Sequence, residues 1–124
     1  MKGREELIKS WFSLWVNKTD FDSNKIFDKD VIYIESWGAK YYSLDEVKNW
    51  FNTWIKTGEV INWNIKQFFH KDNQTVVEWF FECKMYENNE ISCFDGMSLI
   101  KWSEEAKIYF LKEYKCEVEP FDDK

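Results

Sequence analysis

Two periodicities meet at Gly58: apolar residues recur at helical spacing before it and alternate after it. Over residues 4–17, Leu7, Ile8, Trp11, Phe12 and Trp15 fall on one helical face. Glu5 and Glu6 sit in the first turn of that segment, where the helix dipole favours anions. Asp20–Phe27 reads as a short second helix, and Val31–Glu35, β-branched and aromatic, as a strand ending at Ser36-Trp37-Gly38. Ser43-Leu44-Asp45-Glu46 has the form of a capping box, whose hydroxyl and carboxylate satisfy backbone amides left open at a helix start. Leu44, Val47, Phe51, Trp54 and Ile55 carry the apolar face of the third predicted helix, and Gly58 is placed to end it in a left-handed conformation.

Beyond Gly58, Val60–Phe69, Thr75–Met85, Ile91–Trp102 and Lys107–Val118 alternate as strands. Their links, Lys71-Asp72-Asn73, Asn88-Asn89 and Ser103-Glu104-Glu105, are short and polar, so the four form an antiparallel meander. Gly96 inside the third run marks a bend. The order gives an α+β fold. A cone-shaped, strongly curved, mostly antiparallel sheet is covered on one face by three N-terminal helices, because all of them precede the meander. Residues 1–118 read as a single domain and residues 119–124, with Pro120 and acidic neighbours, as a flexible acidic tail.

Aromatic residues make up 20% of the 124 positions, including 8 Trp, which exceeds what a core of this size needs and implies that some line a cavity or contact surface. The net charge of −6, without a Lys/Arg cluster, argues against nucleic acid or an anionic membrane as partner. Three cysteines without C-x-x-C spacing and a single His make a poor metal site, so no metal or cofactor is implied. Cysteine usage and the charged N-terminus, which lacks a signal-peptide core, suit a soluble cytoplasmic protein.

Several stretches in order resemble the nuclear transport factor 2-like superfamily, and within it the SnoaL-like domains related to polyketide cyclases and ketosteroid isomerase. They are Ile26-Phe27-Asp28-Lys29-Asp30-Val31 leading into Tyr33-Ile34-Glu35-Ser36-Trp37-Gly38, then Tyr42-Ser43-Leu44-Asp45-Glu46-Val47 and Val77-Glu78-Trp79-Phe80-Phe81. Phe94-Asp95-Gly96-Met97-Ser98-Leu99-Ile100 and Lys107-Ile108 through Lys112-Glu113-Tyr114 complete the set. The resemblance implies a cystatin-like roll, an apolar pocket, a small apolar or aromatic ligand and a homodimer. It fixes no one activity, since isomerases, cyclases, dehydratases and non-enzymatic binding modules share such folds. Carried over by position, the isomerase base falls on Glu35, the tyrosine oxyanion donor on Phe12 and the aspartic acid donor on Ser98. Losing one such donor typically costs on the order of 10²–10³ in rate, so ketosteroid isomerase chemistry is not expected.

Glu35 is the leading candidate base. It shares a strand face with Val31 and Tyr33, and aromatic surroundings raise a carboxyl's pKa toward the range useful for proton transfer. Glu113, on a face with Tyr109 and Leu111, is the second candidate; alternatively it pairs with a lysine or lies outside. Trp15, Tyr33, Trp54, Trp79, Phe81, Phe94, Ser98 and Leu111 are candidate ligand contacts, each weighed against a core role. His70 reads as a solvated turn residue and Cys83 as an inert apolar filler. Glu78, Phe80, Glu82, Met97 and Leu99 face away from the helices and form the expected dimer surface, on the convex side of the sheet.

Overall fold

The structure, a computed structural model, describes residues 2–19 and 25–118. The elements run α1 (Lys2–Asn17), β1 (Phe27–Ile34), β2 (Lys40–Tyr42), α2 (Leu44–Thr57), β3 (Gly58–Lys71), β4 (Gln74–Met85), β5 (Ile91–Trp102) and β6 (Ile108–Cys116). The six strands make one mixed sheet in the order β2-β1-β6-β5-β4-β3. β1 and β6 are parallel, and every other neighbouring pair is antiparallel.

The apolar stripe of α1 buries Ile8, Trp11, Phe12 and Trp15, and that of α2 buries Leu44, Val47 and Phe51. β4 alternates strictly, burying Thr75, Val77, Trp79, Phe81 and Cys83 beneath the helices. Trp11 is completely buried and its ring meets those of Trp15, Phe27, Tyr33 and Phe51. Truncating such a residue to alanine costs about 3–5 kcal/mol. Ser43 caps α2 by accepting the Glu46 amide at 3.3 Å, while the Glu46 carboxylate takes the amide of Tyr42 at 3.1 Å. Among the described residues no helix is long and apolar enough to cross a membrane.

Two helices, not three, stand among the described residues. The helix expected over Asp20–Phe27 falls largely outside them, but its last part does not form: Ile26 is in a turn and Phe27 opens β1. The tail expected at 119–124 also lies outside the described residues. Gly58 does end α2, but in extended rather than left-handed backbone, at φ −167°. A side chain there would press on the Lys84 carbonyl at 2.8 Å, and that close approach explains the glycine. Pairing of β4 with β5 continues unbroken through Gly96 opposite Trp79. A Cβ at Gly96 would lie 2.3 Å from the Trp79 ring, so this glycine makes room for an indole and marks no break in the ladder.

Candidate functional site

β1 and β2 are joined by a tight turn in which the Glu35 amide donates to the Ala39 carbonyl at 3.0 Å and the Gly38 amide to the Glu35 carbonyl at 2.9 Å. Gly38 adopts φ 94°, a conformation that favours glycine. The turn carries Ser36 and Trp37 to the mouth of a recess between the sheet and the helices. Trp15, Trp50 and Trp54 from the helices, Trp63, Trp79, Phe81 and Phe94 from the sheet, and Ser36, Trp37 and Glu113 line it. The space open to the centre of a water-sized sphere is about 20 Å³, slightly more than one water requires. Trp37 is 51% exposed and stands edge-on to Phe94 at 5.5 Å and to Phe81 at 6.3 Å. Trp15 and Trp63 each bury an indole N–H without an acceptor, a state that costs about 1–3 kcal/mol.

Glu113 is the carboxyl of this recess, at 9% exposure. Its Oε1 accepts the Ser36 amide and the Ser36 hydroxyl, both at 3.0 Å, and its Oε2 accepts the Tyr33 hydroxyl. Tyr33 in turn accepts the Trp11 indole N–H at 3.2 Å. Burial among rings pushes Glu113 up to about 7, against the opposing pull of the hydrogen bonds from Tyr33 and Ser36; the nearby Glu35 charge adds to the rise. Burial and the Glu113 carboxylate raise Tyr33 well above the usual phenol value.

Glu35 does not line the recess. Its half-buried carboxylate accepts the Tyr41 hydroxyl at 3.0 Å. Desolvation raises its pKa and that hydrogen bond partly offsets the rise. Tyr33 lies wholly buried behind Glu113, and Leu111, also wholly buried, is not among the lining residues. Ser98 faces inward, but its hydroxyl accepts the Trp79 indole N–H at 2.9 Å and so satisfies the core. Phe12 stacks on Trp63 at 3.9 Å. Trp15, Trp54, Trp79, Phe81 and Phe94 do line the recess.

Tyr109 does not share the face of Leu111 and Glu113. It is 38% exposed, because the β5–β6 register shifts between Lys101 and Trp102. His70 is no solvated turn residue: its Nδ1 lies 2.8 Å from Thr75 Oγ1 and its Nε2 2.8 Å from Glu5 Oε2, tying β3 to α1. Cys83 is buried, and burial raises its thiol pKa, as suits an unreactive filler. Among the described residues no three His, Cys, Asp or Glu side chains gather to hold a metal.

Sequence reasoning missed Ser36, Trp37, Trp50, Trp63 and Tyr41. Trp50 carried a usable signal, since it stands four residues before Trp54 on one helix. Trp37 and Ser36 carried none, because only the folded turn brings them opposite Glu113.

No protein-family model and no curated protein sequence matches the chain. Solved structures do. A nuclear transport factor 2-like protein of unknown function from Exiguobacterium sp. 255-15 aligns with TM-score 0.75 and 14% identity over 90% of this chain and 99% of its own. A provisionally named SnoaL-like polyketide cyclase from Shewanella denitrificans OS-217 aligns with TM-score 0.73 and 11% identity over 91% and 90%. A protein of ketosteroid isomerase-like fold from Catenulispora acidiphila DSM 44928, in complex with trimethylamine, aligns with TM-score 0.72 and 13% identity over 88% and 84%. The chain therefore has the nuclear transport factor 2-like fold that its sequence resembles.

Proposed function

We propose that this chain is a small-molecule-binding domain whose ring-lined recess holds a compact ligand against Glu113. One observation carries the reading: a buried carboxyl, held by Tyr33 and Ser36, faces a recess walled by indole and phenyl rings. A structural neighbour from Catenulispora acidiphila holds trimethylamine, which supports a ligand of that size on this fold. Any ligand larger than a single water, trimethylamine included, needs Trp37 to swing outward on its exposed turn. With its pKa near 7, Glu113 populates both protonation states at neutral pH, so it can take a proton from a bound ligand and return it. The Tyr33 and Ser36 donors stabilise its ionised form. Glu35 acts from behind as a like charge that strengthens the proton affinity of Glu113. The free thiols of Cys83, Cys93 and Cys116 fit a reducing, cytoplasmic setting.

Ligand-observed NMR with a panel of compact molecules tests this reading on the wild type and Glu113→Gln. Binders that are lost in the variant support it. Binders indifferent to residue 113, or no binder at all, overturn it.

A second reading concerns assembly. Met97 and Tyr114, paired across β5 and β6, are 43% and 50% exposed on the helix-free face. With Val76 and Leu99 they line a shallow trough of about 460 Å³. We infer that this surface joins two copies of the chain. Sedimentation of the wild type as a dimer and of Met97→Lys as a monomer is the expected result; a monomeric wild type at micromolar concentration refutes it.

A further inference from the structure

We propose that the recess selects a compact organic cation, a protonated or quaternary amine, with Glu113 as its counter-ion and the surrounding ring faces as its walls; this rests on the small-molecule reading above. Six indoles and two phenyl rings line the recess together with Ser36 and Glu113, and among the described residues no Lys, Arg or His does. The donors that reach Glu113, the Tyr33 hydroxyl and the Ser36 amide and hydroxyl, are all neutral. Among the described residues no ion pair involves Glu113. An ionised carboxylate there is solvated by dipoles but lacks an opposite charge, which a buried anion needs to offset its loss of water.

Ring geometry points the same way. Trp63 meets Trp79 at 87° and Phe81 at 82°, and Trp37 meets Phe94 at 87°. Each edge-to-face pair spends one ring face on its neighbour, and Phe12 stacks on Trp63 at 3.9 Å, so a guest meets the faces these contacts leave at the recess, with half-exposed Trp37 at its mouth. The negative face of an aromatic ring attracts cations, most strongly for indole and when water is excluded. The chain itself uses this attraction nearby: Lys115 Nζ stands 5.1 Å from the Trp37 ring centre and 5.2 Å from that of Phe94. That ammonium is engaged by Glu117 at 3.3 Å and does not reach Glu113. Glu35, half-buried beside Tyr41, adds a second negative charge and no positive one. A neutral guest leaves these charges unanswered; a cation answers both the rings and the carboxylate.

Calorimetry on the full chain with choline and with 3,3-dimethylbutan-1-ol, its neutral isostere, tests the proposal. Choline is expected to bind at least about tenfold more tightly. Glu113→Gln should bring the two ligands to near equality. Trp37→Ala, at an exposed position, supplies a second variant and should weaken choline severalfold more than the alcohol. Equal binding of the two ligands to the wild type overturns the cation inference and leaves the small-molecule reading standing. A choline preference retained in both variants also overturns it. If neither ligand binds at millimolar concentration, both readings fall.

Discussion

The Tyr33 hydroxyl donates to Glu113 Oε2 although eighty residues separate them. The parallel pairing of β1 with β6 sets Tyr33 opposite Leu111, two residues before Glu113 on the same face. Trp11 reaches Tyr33 from α1, so a helix, a strand near the start of the chain and the last strand share one hydrogen-bonded chain. Buried networks of this kind are costly to leave partly satisfied. The protonation state of Glu113 therefore bears on the docking of α1 as well as on the recess.

Glu113 should make the protein less stable as pH rises from the mildly acidic range to neutrality. Burial lifts its pKa from 4.5 to about 7. Below the lower value the carboxyl is protonated whether the chain is folded or not. Between the two, only the folded chain keeps the proton, so stability falls with rising pH; above about 7 the whole cost of the buried anion is felt. The stability of the wild type minus that of Glu113→Gln should drop by on the order of 3 kcal/mol from pH 4 to pH 8. Urea denaturation of both proteins across that range measures it, and a flat difference contradicts the burial argument.

Tyr41→Phe should raise the Glu35 pKa further. The Tyr41 hydroxyl donates to Glu35 Oε2, which favours the ionised carboxylate and opposes the rise due to desolvation. Carboxyl-carbon NMR titration resolves the shift, and a lower Glu35 value in the variant rules out this assignment.

Gly96→Ala should destabilise the fold by about 1–3 kcal/mol or more, the range for overpacking. The added Cβ would lie 2.3 Å from the Trp79 ring and 2.6 Å from the Tyr114 carbonyl oxygen. Trp79→Phe in the same chain should relieve only part of this, since the backbone contact remains. Thermal unfolding of the two single variants and the double variant gives the coupling, and full rescue would show that the carbonyl contact is immaterial.

Ser98→Ala should cost about 1–3 kcal/mol by leaving the Trp79 indole N–H buried without an acceptor. Adding Ser98→Ala to Trp79→Phe should cost much less than adding it to the wild type, because no donor is then stranded. Equal effects in the two backgrounds, read from denaturant midpoints, would rule out the hydrogen bond as the cause.

Much of the fold was legible because its elements carry local signals. The capping box at Ser43 marks the start of α2, and strict alternation from Thr75 to Cys83 marks β4 as half-covered. β2 spans only Lys40–Tyr42, with two of its three residues exposed, and offers neither period nor length to detect. Nothing local tells β1 that its partner is β6, since that pairing is settled by which edges remain open once the meander forms. The placement of the two carboxylates was not legible for the same reason. Glu35 and Glu113 both follow buried aromatic or aliphatic residues at strand spacing, yet only the tertiary arrangement decides which of them lines the recess and which turns to Tyr41. Gly58 and Gly96 could be seen as special from sequence, but their reasons, a facing carbonyl and a facing indole, belong to distant segments.

β6 occupies an interior slot of the sheet, flanked by β1 on one side and β5 on the other. During synthesis, then, the β1–β2 hairpin and the β3–β5 meander must wait as separate portions of the sheet until β6 leaves the ribosome. Loss of that stretch would do more than trim an edge: it would part the two portions of the sheet and remove the carboxyl while leaving the rings that wall the recess. A chain cut before β6 should thus be degraded rather than persist as a loosened version of the same fold.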